Sequence, residues 1–214
     1  MKRRFIVCAI SILALCNIVA YAEGNNGASR IPSATTNHSI VAIKTNLLYD
    51  AAFLPNLGVE VNVYRNWAVF ADVMYADWNL PARHTSWNFY GLQYGARKYF
   101  GKKSEQRRFT GHHVGFYGQA LAYDLQAGSL GQQTPSINAS FGFEYGYSFR
   151  ISRNINLNAE IGFGYLGGKY YEYIVEDDHD AWKGTIERSW IGPTKASLSL
   201  MWLLKPSYKK QNRK

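Results

Sequence analysis

The chain has 214 residues, with 24 Lys and Arg against 15 Asp and Glu, a formal net charge of +9, and 16 Tyr, 11 Phe and 6 Trp. Both cysteines, Cys8 and Cys16, fall in the first 22 residues, so the remainder excludes disulfides, cysteine metal sites and thiol catalysis. Beyond residue 22 no run of eighteen apolar residues occurs, which argues against a helical membrane protein, and no P-loop, GxSxG or HExxH pattern is present.

Lys2, Arg3 and Arg4 precede an apolar run from Phe5 to Ala20, followed by Ala20-Tyr21-Ala22. A charged start, a short apolar core and an A-x-A site predict a secretory signal peptide over residues 1–22, cleaved after Ala22. A retained anchor is the competing reading, but the run is short for a spanning helix. A lipoprotein signal ending at Cys16 would need a small residue where Leu15 stands. Removing the three basic residues of the signal leaves 21 basic against 15 acidic. Residues 23–39, small and polar, read as a flexible leader.

From residue 40 to 204 a period of two dominates, and the expected fold is all-β: an eight-stranded antiparallel up-and-down transmembrane barrel. Strands are expected at 40–50, 56–64, 67–78, 87–100, 111–124, 136–151, 155–165 and 188–204. The stretch from Ser136 to Ile151 is the clearest. Ile137, Ala139, Phe141, Phe143, Tyr145, Tyr147, Phe149 and Ile151 take one face, while the other carries only small, polar or charged residues such as Ser140, Gly142 and Glu144. No helical period fits this. The next strand repeats the code, with Leu157, Ala159, Ile161, Phe163 and Tyr165 opposed by Asn156, Asn158, Glu160, Gly162 and Gly164. Arg65-Asn66 and Ser152-Arg153-Asn154 read as tight turns. The links 79–86, 125–135 and 169–187 read as longer loops on the opposite, outer end. The link 101–110 is long and basic for an inner turn, and the tail 205–214 is basic too; contact with anionic headgroups or cell-wall polymer is their functional reading.

Alternation alone does not say which face points outward. The polar face carries charges of both signs, Lys44, Glu60, Asp72, Arg97, Glu144, Glu160 and Lys195, which can pair across a narrow lumen. The apolar face ends in aromatics, with Tyr49, Tyr75, Tyr165 and Trp202 as candidates for interface girdles. Both features favour apolar side out, as in a membrane barrel. A soluble lipocalin-like barrel would turn the aromatic face around a ligand instead. Eight strands leave an interior that side chains nearly fill, so no wide pore is expected.

Three segments carry a resemblance: Ala42 to Asp50 followed by Pro55 to Glu60, the tract Gln93 to Phe100, and Gly192 to Leu200. Together they resemble an uncharacterised Bacteroidota-type envelope family, the domain-of-unknown-function family thirty-five seventy-five. The resemblance implies an outer-membrane barrel related in shape to small OmpA-like and OmpW-like proteins, and it brings no activity or catalytic residue.

Other clusters are weaker. His84 lies near Asp77 and Ser86 in an expected loop, and adjacent His112 and His113 point to opposite faces of a strand, which argues against a metal pair. Glu176, Asp177, Asp178, His179 and Asp180 form an acidic tip without the full calcium-loop pattern. No cofactor is expected. The expected function is non-enzymatic: an envelope structural or surface-interaction role through the outer loops, in a monomer surrounded by outer-membrane lipid. Partners would be envelope proteins or cell-wall polymer, not nucleic acid. The alternatives are a lipid-active outer-membrane enzyme and a narrow channel for small or hydrophobic solutes.

Overall fold

The computed structural model describes residues 41–80, 85–176 and 179–204. The expected signal, leader and basic tail, together with His38 and His84, lie outside the described residues, as do the side chains of the acidic tip.

Strand β1 (Val41–Asn46) leads through a short helix α1 (Leu47–Ala51) to β2 (Asn56–Tyr64), β3 (Trp67–Leu80) and β4 (Thr85–Phe100). A second short helix, α2 (Lys102–Gln106), precedes β5 (Gly111–Ala127), β6 (Leu130–Gln133), β7 (Asn138–Arg150), β8 (Ile155–Glu176) and β9 (His179–Leu204). All pairings are antiparallel, and β1 pairs with both β2 and β9, so the sheet closes on itself. Both β6 and β7 lie between β5 and β8, and so share one position in the ring. The wall is therefore a closed antiparallel ring of eight strands.

The two faces of the wall differ as the alternation requires. Inward lie Lys44, Glu60, Arg97, Gln119, Asn158 and Lys195, all buried. Outward lie Leu57, Phe116, Phe141, Phe143, Phe163 and Trp202, all more than half exposed. Small residues on the inner face make room for long ones. A Cβ at Gly58 would sit 1.8 Å from Asp72 Oδ1, and one at Gly146 would sit 2.5 Å from His113 Nε2. Glycines at such positions let a narrow lumen hold long side chains.

Four expectations are corrected. The first strand ends at Asn46, not residue 50, because the Asn46 side chain accepts from Leu48 N at 3.2 Å and caps α1. The segment then turns inward, and Leu54 packs with Met74 and Ala76 against Tyr49, Phe89 and Leu121 across one end of the lumen. The second correction is that the three expected outer loops are mostly strand. β3 and β4 extend to Leu80 and from Thr85, β6 occupies part of 125–135, and residues 169–176 and 179–187 lie in the β8–β9 ribbon. Third, the link 101–110 is no simple turn. Phe109, at φ 57°, is fully buried with Tyr99, Met201 and Leu203, and plugs the other end of the lumen. Its carbonyl accepts from Ser148 Oγ at 2.8 Å and Asn156 Nδ2 at 2.5 Å. Fourth, β7 begins at Asn138, because Thr134 to Ile137 interrupt the ladder with β5 and β8 between β6 and β7; Thr134 N donates to Tyr123 O at 2.9 Å within this interruption.

Candidate functional site

Each of the eight wall strands sends one acidic or basic side chain into one layer of the lumen. They are Lys44 (β1), Glu60 (β2), Asp72 (β3), Arg97 (β4), His113 (β5), Glu144 (β7), Glu160 (β8) and Lys195 (β9). Arg97 is the hub. Its Nη1 meets Glu60 Oε2 at 3.2 Å and also Glu160 Oε1, while its Nε lies 3.0 Å from Glu144 Oε1. Lys195 bridges Glu144 and Glu160, the latter at 2.8 Å. Lys44 lies 3.1 Å from Asp72 and 3.8 Å from Glu60, and His113 Nε2 lies 3.5 Å from Glu160.

Uncharged groups complete this layer. Tyr99 donates to Glu60 Oε1 at 2.6 Å, and Asn158 donates to Glu160. Gln119 donates to Gln93 at 2.8 Å, and Gln93 to Asp72 at 3.3 Å. The Phe70 ring sits among all three cations, with Arg97 Cζ at 4.1 Å, Lys44 Nζ at 4.4 Å and Lys195 Nζ at 4.7 Å from its centroid. A desolvated cation over an aromatic face gains about 2 kcal/mol. An apolar residue therefore stabilises the charged layer at its centre.

The seven charged residues singled out from the sequence thus form one network with one another. Sequence reading missed the eighth, His113, along with Phe70, Tyr99 and Phe109. His113 shares the parity of Tyr117 and Gln119, and that parity was the available signal. The four girdle candidates separate. Tyr75, Tyr165 and Trp202 stay on the wall: Tyr75 packs edge-on against Tyr90 at 5.2 Å, Tyr165 against Phe141 at 5.6 Å, and Trp202 is 62% exposed. Tyr49 is a correction; it leaves the wall with α1 and borders a polar cavity above the charged layer.

That cavity, among Lys44, Asn46, Tyr49, Asp72 and Gln93, measures about 10 Å³, the room one water needs. His113, Glu144 and Glu160 offer ligand atoms within 4.8 Å of one another, a spacing that suits a metal ion. Arg97 and Lys195 already neutralise both carboxylates and would repel a cation there. The arrangement is a cross-brace joining opposite sides of the wall.

A family model described as Protein of unknown function (DUF3575) matches residues 27–204. The chain belongs to this family. All eight lumen residues of this DUF3575 member lie within the matched span. No curated protein and no solved structure matches the chain.

Proposed function

We propose that this protein is a non-enzymatic β-barrel of an outer membrane, exported by its signal, with a lumen closed by paired charges and a structural or surface-interaction role carried by its outer hairpins. The observation that carries this reading is the inversion of the two faces. Ion pairs fill the inside, and a band of Phe, Leu and Ile, more than half exposed at Leu57, Phe116, Phe143 and Phe163, covers the outside. In water that band would cost about 25 cal/mol for each Å² of apolar surface left uncovered. In hydrocarbon it is the stable arrangement, and a closed ring leaves no sheet edge unpaired within the lipid.

Orientation follows from the connections. Arg65-Asn66 and residues 151–154 are short turns at one end, and the β8–β9 ribbon extends from the other. Short turns belong to the periplasmic side and long hairpins to the exterior. Exposed Tyr64, Trp67, Phe149 and Trp202 near the short-turn end, and the Tyr75–Tyr90 pair toward the other, match the two aromatic belts of such barrels.

Cysteine labelling of intact cells tests the reading, since the cleaved chain would carry no other thiol. A membrane-impermeant maleimide should label Thr185→Cys from outside and Arg153→Cys only after lysis. The wild-type protein in planar bilayers should give no steady conductance. Labelling of Arg153→Cys in intact cells, or stable open channels, would contradict it.

A further inference from the structure

Strand β9 outruns its neighbour. Its last pair with β1 joins Ser199 to Asn46, whereas its pairing with β8 continues to His179. Among the described residues, 179–198 therefore have a strand on one side only, and the wall above β1 has a notch. Exposed Phe163 and Ile191, the latter 81% exposed, carry the outward apolar band up to this notch.

A groove of about 410 Å³ lies on the ribbon there, lined by Leu166, Tyr170, Ile186, Glu187, Arg188, Ser189 and Trp190. Leu166 and Tyr170 share the β8 face of Asn156, Asn158 and Glu160, the face that points into the lumen lower down. Trp190 is opposite Leu166, Arg188 opposite Gly168 and Ile186 opposite Tyr170, so the groove runs along one face of two paired strands. Apolar Leu166, Ile186 and Trp190 alternate there with polar Ser189 and the charged pair Glu187 and Arg188, and Arg188 supplies its one cation. The Arg188 Cζ lies 4.6 Å from the centre of the Tyr170 ring, over its face, and Arg188 has no carboxylate within ion-pair distance among the described residues. Glu187 is taken by Lys169 at 2.6 Å.

We propose that this groove binds a single-chain anionic amphiphile of the long-chain fatty acid class. Its carboxylate sits on Arg188, and its chain runs from there over Leu166 and Trp190 toward the wall. A planar guanidinium held over an aromatic face offers paired donors to a carboxylate. The groove volume is that of one small ligand, not of a two-chain lipid. The site rests on the membrane reading in one respect, the supply of ligand from lipid through the notch.

The test is titration of radiolabelled palmitate against the protein in phosphatidylcholine nanodiscs. Saturable one-site binding is expected in the wild type. Arg188→Gln should weaken it about tenfold, the equivalent of one charge-assisted contact. Arg188→Lys should fall between, and hexadecanol should compete at least about tenfold less well than palmitate. The heat-dependent gel shift of both variants should match the wild type, which separates lost binding from lost folding. Equal binding by Arg188→Gln, non-saturable uptake, or displacement of palmitate by phosphatidylglycerol in the discs would overturn the proposal. Failure of the protein to enter discs would refute the membrane reading alone, and the same titration on the soluble protein would then decide the groove.

Discussion

Arg97 and Lys169 are both cations held by glutamates on other strands, yet they belong to different regimes. Arg97 is fully buried and shared by Glu60, Glu144 and Glu160. Lys169 stands on the outer ribbon, paired with Glu187 at 2.6 Å, with side chains 56% and 74% exposed. The Lys169 ammonium donates to the Glu187 carboxylate and holds it below the usual carboxylate range, while its own pKa is raised by the same bond. Water screens that pair, and neither partner loses its hydration. In the lumen each charge has already lost its water, so its partners are obligatory. The same chemistry is a cross-brace in one place and a surface decoration in the other.

Removing the hub should break the comparison most sharply. Arg97→Met leaves three carboxylates around the site with Lys44 and Lys195 as the remaining fixed cations, and should destabilise the folded barrel by about 3–5 kcal/mol. Urea unfolding in lipid vesicles measures this, and a loss below about 1 kcal/mol would mean that the layer is not a brace. Phe109→Ala should cost about 3 kcal/mol by opening a cavity at the end of the lumen. The same titration reads it, and restored stability in Phe109→Leu would assign the effect to packing. Tyr99→Phe removes the donor to Glu60 and should cost about 1–3 kcal/mol. At the bottom of the scale, Lys169→Ala should leave the midpoint unchanged. The folded-state pKa of Glu187 is depressed, so any contribution of its pair is present above the unfolded carboxylate value and fades as the pH falls through the folded one. Because water screens this exposed pair, unfolding midpoints of wild type and Lys169→Ala should coincide across that range, and a clear pH-dependent difference would show that the ribbon pair matters more than its exposure implies.

Much of the wall was legible from residue type. Strict alternation over Ser136 to Ile151 and Ile155 to Tyr165 marked two strands and their faces, because a period of two has only one structural meaning at that length. The unlike charges on the polar face were legible for the same reason, since parity alone places them together. The ends were not legible. Tyr49 and Phe109 leave the wall through a capped turn and a positive-φ residue, and such turns follow from side-chain hydrogen bonds that alternation does not encode. The ribbon over 169–176 and 179–187 is hidden in the sequence because Gly167, Gly168 and Gly184 weaken the strand pattern, while pairing with a long partner strand restores it.

The central claim is that the charged lumen lies inside a barrel whose apolar face meets lipid. Heat-modifiability of the protein extracted from the outer-membrane fraction tests it most directly. The unboiled protein should resist detergent, migrate as a compact band and shift on boiling, and Arg97→Met should lower the temperature of that shift. Recovery of the protein in the soluble periplasmic fraction, with no shift on boiling, would contradict it.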